Sequence, residues 1–324
     1  MTVGDMVFVS LGRGFPENDE LWRDSRHVRD VVRFEGAASS GRRLGSRAFG
    51  LGIDSAVVAI KVLLGGHRGP YLAVNPWVGA ALKLVGKRDV RVTGVYAQAG
   101  SRSFRILRAL LGHSMVVTTV KLEADAWNGA GGNAASVLYG NSFHYPKHIA
   151  SDSEQIRVFI GGSSDRDLAT AVRLEDEIRA SALPISLTIA SDEPPSCWSR
   201  GAASITRTGR VSPAHFGELV AASDVVFLPL KDSKRAAGHM VTVGALESGV
   251  AVVSSRSSGM EGYVDGEFVT WLDPAGRLIP QLVLAAEVTR SRSEEITMFW
   301  AARFSLAAYI DRVGSALAEI AQRK

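Results

Sequence analysis

The stretch that most constrains the fold runs from residue 222 to residue 266. An apolar run, Val225 to Leu230, predicts a buried strand, and a polar loop follows it. Gly238 then opens a predicted helix, which Gly249 closes, and the residues from Val250 to Ser254 predict a second buried strand. Because two buried strands joined by a helix form a βαβ unit, we expect parallel strands and a right-handed crossover.

The same organisation recurs along the rest of the chain. Short apolar runs alternate with segments of helical periodicity, which is typical of doubly wound parallel sheets. A chain of 324 residues exceeds one ordinary core and suits two domains of about 150 residues each. The polar, proline-containing segment from His144 to Gln155 is the best linker candidate. We therefore predict one domain over residues 1–149 and a second over residues 150–324.

Several segments of these domains carry more local expectations. Val90 to Tyr96 predicts a strand with near alternation, and Ser191 to Ala203 predicts a polar loop. Leu168 to Ala180 predicts a helix whose wet face carries Glu175, Glu177 and Arg179. Ser293 to Gln322 predicts one long helix at the end of the chain.

Composition and charge narrow the class of protein. The single cysteine, Cys197, allows no internal disulfide and no cysteine zinc cluster, which favours a reducing, cytoplasmic location. The first residues lack the features of a signal peptide, and no apolar run reaches the roughly 18 residues of a membrane span. The net charge of +4 is too small an excess to indicate a nucleic-acid partner.

Two predicted loops have the features of an anion site. The loop before the helix at Gly238 belongs to the carboxyl edge of the sheet, where open α/β folds bind ligands, and helix amides favour an anion. The loop after the predicted strand Ile156 to Ile160 begins with Gly161 and Gly162 and carries Arg166. Glycines let the backbone approach a ligand, and a guanidinium binds phosphate oxygens in a bidentate fork. A surface ion pair of Arg166 with a neighbouring aspartate is the alternative.

The order and spacing of residues 222–274 resemble the nucleotide-sugar half of GT-B glycosyltransferases, in particular the large, mostly retaining "glycosyl transferases group 1" type. The matching residues are Ala222, Asp224, Pro229, Gly238, Ala245, Gly249, Tyr263, Gly266 and Pro274. The resemblance implies the GT-B fold: α/β, with two Rossmann-like domains, a deep cleft between them, and a last helix that crosses back to the first domain.

The same resemblance implies a function. The expected activity is that of a hexosyltransferase moving a sugar from a nucleotide-diphosphate sugar to a sugar, lipid-linked or small-molecule acceptor. The expected setting is bacterial polysaccharide, glycolipid or natural-product biosynthesis. GT-B enzymes usually stabilise the leaving diphosphate with basic residues and helix amides rather than with a metal, so the resemblance implies no metal site and no cofactor beyond the sugar nucleotide as co-substrate.

The resemblance also implies site residues. The expected donor-side residues are Gly162, Ser163, Ser164, Arg166, Arg210, Val211, Lys231, Gly238, His239 and Met240. The expected acceptor-side residues are Gly12, Gly14, Asn75 and Tyr96. Relatives often carry His or Asp at the strand ends where Asn75 and Tyr96 stand, and we identify no catalytic base. For His239, a hydrogen bond to the sugar or a phosphate and a solvated loop position both stay open.

The chain departs from the family at two carboxylates. Many relatives carry two glutamates eight positions apart, of which the first touches the sugar and the second holds the ribose. Ala236 and Gly244 stand at those places, and Glu247, one turn further on, is expected to face another way. The departure leaves open a catalytically silent GT-B homologue that binds a sugar nucleotide or partners an active transferase. A sugar-nucleotide epimerase on the same twin-Rossmann plan is a third interpretation.

The basic residues of the first half have two interpretations. Arg102, Arg105 and Arg108 fall on one predicted helix, and a basic loop over residues 41–47 and the pair Lys87-Arg88 add to them. This charged face is either simply solvated or docks on an anionic membrane that carries a lipid-linked acceptor. The second interpretation implies a peripheral location on the inner membrane face.

Overall fold

The computed structural model describes residues 6–11, 16–34, 47–95, 97–232 and 236–322. The described residues divide into two compact units. The first unit contains the chain up to Leu138 together with the segment from Leu306 onward, and the second contains Tyr139–Ser305. None of the described helices combines the length and the apolar composition that a membrane-spanning segment needs.

The first unit is built on a parallel sheet of six strands in the order β2-β1-β3-β4-β5-β6. Its elements are β1 Met6–Ser10, α1 Pro16–Asp24, β2 Val28–Arg33, α2 Arg47–Leu64, β3 Tyr71–Ala73, α3 Pro76–Leu84, β4 Val90–Thr93, α4 Arg102–Leu111, β5 Met115–Thr118, α5 Lys121–Gly129, β6 Asn133–Ser136 and α10 Leu306–Gln322. Helices α2, α3 and α4 pack beside one another, whereas α10 packs on α1, β5 and β6. The strand order reverses at β1, between β2 and β3.

The second unit has a sheet of seven strands in the order β13-β12-β11-β7-β8-β10-β9. Its elements are β7 Ile156–Gly161, α6 Leu168–Ala180, β8 Ile185–Ala190, β9 Ser196–Arg200, β10 Ala203–Arg207, α7 Pro213–Ala221, β11 Val225–Leu228, α8 His239–Ser248, β12 Ala251–Ser254, β13 Val269–Trp271 and α9 Leu278–Arg303. The strand order reverses at β7, between β8 and β11. The predicted α/β class with parallel sheets is confirmed in both units.

Two predicted segments take a different form. The predicted loop from Ser191 to Ala203 contains strand β9, which pairs antiparallel with β10 and carries the exposed Cys197. The prediction was wrong because this edge strand is largely exposed and shows no apolar alternation. Strand β4 ends at Thr93 and all four of its residues are buried, as in a parallel strand covered on both faces.

The end of the chain and helix α6 also differ from expectation. The predicted single helix from Ser293 to Gln322 is two helices, because α9 stops at Arg303 and α10 starts at Leu306. On α6, Glu175 is buried rather than wet and forms ion pairs with Arg179 and Arg207. The two ion pairs give the buried carboxylate the partners that a polar group needs inside a fold.

A buried carboxylate holds the amino end of the second sheet. Asp224 precedes β11 and is fully buried. One of its oxygens lies 2.7 Å from Nη2 of Arg157 on β7, and the other accepts from Arg290 on α9 at 2.9 Å. His148 approaches it at 3.4 Å. Burial by itself would raise the pKa of Asp224, but these hydrogen bonds outweigh burial and hold the pKa well below its usual range.

We expect Asp224→Ala to destabilise the protein by about 3–5 kcal/mol, because the surrounding cations lose their common partner. Urea unfolding at neutral pH measures the change. Asp192→Ala is the matched control, since Asp192 forms an exposed pair with Arg210 and its loss should cost less than about 1 kcal/mol. Equal midpoints for the two variants would contradict a structural role for Asp224.

Candidate active site

The site lies at the carboxyl edge of the second sheet, where the strand order reverses. Strands β7 and β11 are neighbours there, although they are far apart in sequence. Open α/β sheets bind ligands at such a reversal, because the two following loops diverge and leave a crevice. The predicted donor-side residues of residues 162–166 follow β7, and those of residues 231–240 follow β11.

Backbone hydrogen bonds tie the two loops together. The amide of Asp167 donates to the carbonyl of Pro229 at 2.8 Å, and the amide of Lys231 donates to that of Asp165 at 2.9 Å. Between them, Arg166 and Leu230 form an isolated antiparallel bridge. The structure therefore brings the glycine loop and the loop of the βαβ unit into one constellation.

The guanidinium of Arg166 is fixed by backbone carbonyls. Its Nε donates to the carbonyl of Gly161 at 3.1 Å, Nη2 donates to the same carbonyl, and Nη1 donates to Ser164 at 2.9 Å. Burial lowers the pKa of Arg166 to about 10, and the charge of Asp165 acts in the opposite direction. The group therefore stays charged at neutral pH, and carbonyl oxygens orient that charge without cancelling it.

The turn beside this guanidinium has glycine at position 162 for a steric reason. Gly162 has φ of 86°, and a Cβ there would lie 2.7 Å from Nη2 of Arg166 and 3.6 Å from a methyl of Val241. Only glycine fits such a position without displacing the guanidinium. Ser163 and Ser164 follow on the exposed part of the turn. The approach to Val241 also puts this turn beside the first turn of α8.

Helix α8 begins with backbone donors that the helix itself leaves unused. Gly238 is its N-cap at φ of 82°, and a Cβ there would fall 2.7 Å from Leu230. No side chain among the described residues caps the helix. The first amides, those of His239, Met240 and Val241, have no acceptor within the helix. Unpaired amides and the helix dipole favour an anion at this point.

His239 is buried, so the solvated loop position considered for it is wrong. Its ring lies between those of Tyr139 and Tyr263, with centroids 5.1 and 5.9 Å away. Nδ1 is buried without a hydrogen-bond partner among the described residues. Burial lowers the pKa of His239 to about 4, so the imidazole is neutral at pH 7. Met240, next along the helix, is about half exposed.

A third loop joins the constellation through a contact that sequence patterns did not reveal. The carboxylate of Asp232 accepts from the amide of Ser258 at 3.2 Å and from its hydroxyl at 2.8 Å. Ser258 follows β12, so this contact ties the loop after β12 to the loop after β11. Lys231 lies exposed beside Asp232, and residues 233–235 lie outside the described part of the chain.

The remaining donor-side candidates lie apart from these loops. Arg210 and Val211 follow β10, which is two strands away from β7, or about 10 Å at ordinary strand spacing. The Nε atom of Arg210 lies 3.7 Å from Asp192, and both side chains are mostly exposed. Among the described residues, no hydrogen bond or ion pair joins Arg210 to Arg166 or to α8.

A tyrosine fills the space at Gly244, one of the two places where the family resemblance implies a glutamate. A Cβ at Gly244 would lie 2.6 Å from the ring of Tyr145, and a Cβ at Gly217 on α7 would lie 2.5 Å from the same ring. The two glycines thus form a slot between α7 and α8 that Tyr145 occupies. Ala236, at the other glutamate position, offers no carboxylate.

Glu247 faces the same segment as Gly244, so the expectation that it faces another way is wrong. Its carboxylate accepts from the amide of Phe143 at 2.7 Å and from that of His144 at 3.0 Å. Burial raises the pKa of Glu247 to about 7, against the effect of these two hydrogen bonds. Burial and then the charge of Glu247 raise the pKa of Tyr145 to about 12. Glu247 therefore holds residues 143–145 over the slot.

In the first unit, one acceptor-side candidate has a structural role. Asn75 follows β3 and is the N-cap of α3, where its side chain accepts from the amide of Trp77 at 2.9 Å. Gly12, Gly14 and Tyr96 lie outside the described residues. Across the described part of the chain, no group of three or more His, Cys, Asp or Glu side chains is arranged to hold a metal ion.

Solved structures resemble this chain over nearly its whole length. Sucrose-phosphate synthase from Thermosynechococcus elongatus matches with a TM-score of 0.64 and 12% identity, covering 99% of this chain and 100% of that one. HepE from Anabaena, in complex with UDP, matches with a TM-score of 0.64 and 14% identity, covering 97% and 100%. The catalytic domain of starch synthase IV from Arabidopsis thaliana, bound to ADP and acarbose, matches with a TM-score of 0.62 and 8% identity, covering 98% of each chain.

These likenesses identify the fold. No family model matches the sequence, and a search of curated proteins finds no match. At identities of 14% and below the likeness concerns the backbone arrangement, and it confirms the predicted GT-B fold.

We expect Glu247→Gln to change how stability depends on pH. The unfolded chain ionises this carboxyl near pH 4.5, whereas the folded chain keeps the proton until about pH 7. The group therefore stabilises the fold below pH 4.5, and this contribution is lost as the pH rises to about 7. The free energy of unfolding of the parent should fall by about 3 kcal/mol relative to the variant across that window. Urea unfolding at a series of pH values measures this change in the free energy of unfolding. Glu261→Gln, at an exposed position, is the control. Parallel pH profiles for parent and Glu247→Gln would refute the expectation.

Proposed function

We propose that this protein is a glycosyltransferase that moves a sugar from a nucleotide-diphosphate sugar to an acceptor hydroxyl. One observation carries the proposal. The hydrogen-bonded loops after β7 and β11 gather a charged guanidinium, a glycine turn and an uncapped helix N-terminus at the point where the strand order reverses. These groups supply the positive charge and the hydrogen-bond donors that stabilise a diphosphate leaving group.

The proposed mechanism depends on charge that develops on the leaving group. As the bond between the anomeric carbon and the diphosphate breaks, negative charge grows on the phosphate oxygens. Arg166 and the first amides of α8 stabilise that charge, and they are already oriented before the reaction begins. The acceptor oxygen forms the new bond to the anomeric carbon. If the transfer retains configuration, the departing phosphate accepts the proton of the acceptor hydroxyl, so that step requires no side-chain base. His239 stays neutral and offers the sugar or a phosphate a hydrogen bond without a competing charge.

The solved relatives support a nucleotide sugar as the donor class. HepE has been solved with UDP, with UDP and glucose, and with UDP-glucose, and starch synthase IV with ADP. For this chain we propose a nucleotide-diphosphate sugar as the donor class, without naming the base or the sugar. The acceptor that we propose is a sugar, a lipid-linked molecule or a small molecule. We further propose that the transfer is metal-independent, because Arg166 and backbone amides supply the positive charge that the diphosphate needs. The setting that we propose, from the family resemblance, is bacterial polysaccharide, glycolipid or natural-product biosynthesis.

A panel of nucleotide diphosphates and their sugars tests the donor site by thermal shift. A true donor at 100 times its Kd should stabilise the protein by about 2.7 kcal/mol. Arg166→Ala should weaken that donor about 10- to 100-fold, since hydrogen bonds to a charged group contribute about 1.5–3 kcal/mol. Arg200→Ala, on the exposed strand β9, is the control and should leave the shift unchanged. No shift with any member of the panel would count against a donor site.

Turnover is tested separately from binding. With the donor found above, the protein should release free nucleoside diphosphate, slowly with water and faster with an acceptor, and the rate should be unchanged by EDTA. A coupled assay for the released nucleotide measures the rate of release with and without an acceptor, and with and without EDTA. Release that stops with EDTA and returns with a divalent cation would refute metal independence. Donor binding with no release under any condition would refute the transferase.

A further inference from the structure

Helix α2 turns an apolar face toward solvent. Ile53, Val57, Ile60 and Leu64 recur at helical spacing along it, and with Leu63 they are between 38% and 81% exposed. The opposite face is fully buried against the sheet and includes Val58, Ala59 and Val62. We call the five exposed side chains the α2 ridge. A helix that packs on a sheet with one face ordinarily carries polar residues on the other, so the α2 ridge requires an explanation.

The α2 ridge continues onto the end of α3. Leu84, the last residue of α3, is 71% exposed. Helices α2 and α3 pack together and both lead into the amino ends of strands, so their last turns lie at the same edge of the sheet. The Nζ atom of Lys87 donates to the carbonyl of His67 at 3.3 Å, which joins the two segments that follow these helices.

Basic residues occupy the last turns of α2 and α3 and the segments that follow these helices. The rim consists of Lys61, Arg68, Lys83, Lys87 and Arg88. Of the nearby carboxylates, Asp30 pairs with His67 at 3.0 Å and Asp89 lies 3.5 Å from Arg91. The single carboxylate of α2, Asp54, is buried. The ridge therefore combines an aliphatic surface with a local excess of positive charge.

We propose that the α2 ridge and its basic rim dock on an anionic lipid surface. Aliphatic side chains on a convex helix face can enter the boundary between head groups and acyl chains, while lysine and arginine at the rim attract anionic head groups. The proposal concerns binding alone and does not depend on glycosyl transfer.

Two other occupants fit the surface less well. A second copy of the chain would bring the same basic rim against itself, and like charges in contact are unfavourable. A protein partner is typically met by aromatic residues and hydrogen-bonding groups, and the α2 ridge offers aliphatic side chains only.

The basic helix that suggested a membrane face from sequence has a partly different role. Arg108 on α4 donates to the carbonyls of Gly112 at 2.6 Å and Ala130 at 3.0 Å, and it lies over the ring of Trp127. Its guanidinium therefore braces two turns of the first unit. The exposed apolar residues that membrane docking requires are concentrated on α2 instead.

Co-sedimentation with phosphatidylcholine vesicles, with and without phosphatidylglycerol, tests the proposal. The protein should bind the anionic vesicles, bind the neutral ones far more weakly, and lose binding as salt is added. Ile60→Glu and Leu64→Glu should each weaken binding about tenfold or more. Leu284→Glu is the matched control, since Leu284 is 64% exposed on α9 of the second unit, and it should bind as the parent does.

Each contrary result has a definite meaning. Both ridge variants change exposed positions, so circular dichroism should show the parent's melting temperature and exclude unfolding as the cause. Lys83→Glu with Arg88→Glu should abolish the preference for anionic over neutral vesicles. Equal binding by Leu64→Glu and Leu284→Glu would overturn the proposal. A dimer in light scattering that Leu64→Glu dissociates, with no vesicle binding by the parent, would identify the ridge as a self-association surface and overturn it as well.

Discussion

The adjacency of β7 and β11 is the constraint on which the rest of the second unit depends. The chain leaves β7 in one direction and returns to its other side only after α7, so no local connection holds the two strands together. At the amino end, the buried carboxylate of Asp224 joins β11 to Arg157 of β7 and to α9. At the carboxyl end, backbone hydrogen bonds join the loops that follow. The ion pairs of Asp224 therefore hold the amino ends of β7 and β11 together, and the crevice lies at their carboxyl ends.

The crevice keeps its own positive charge available. Arg166 is oriented by carbonyl oxygens, and no side chain in the described part of the chain caps the start of α8. The neighbouring imidazole of His239 is neutral because it is buried. A site arranged in this way stabilises an arriving or developing anion with little reorganisation, which is the property that phosphate chemistry uses.

Features with a local cause could be predicted from the sequence, and features with a distant cause could not. The βαβ unit and its two glycine caps follow from apolar runs and from φ values that only glycine adopts readily, at Gly238 and Gly249. The cap of α7 also has a local cause, because the side chain of Ser212 accepts from the amide of His215, three residues further on. The burial of Glu175 depends on Arg207, and the orientation of Glu247 depends on residues about 100 positions earlier, so neither has a local signal. An apolar run such as α2 likewise cannot show which of its faces the sheet covers.

The slot between Gly217 and Gly244 has a consequence for protein engineering. Tyr145 fills the volume that any side chain at position 244 would enter, so the two positions cannot change independently. A chain with a tyrosine in the slot accepts a side chain at position 244 only if that tyrosine shrinks or moves, and either change made alone leaves a clash or a cavity. A library that places a side chain at position 244 would therefore have to vary position 145 at the same time.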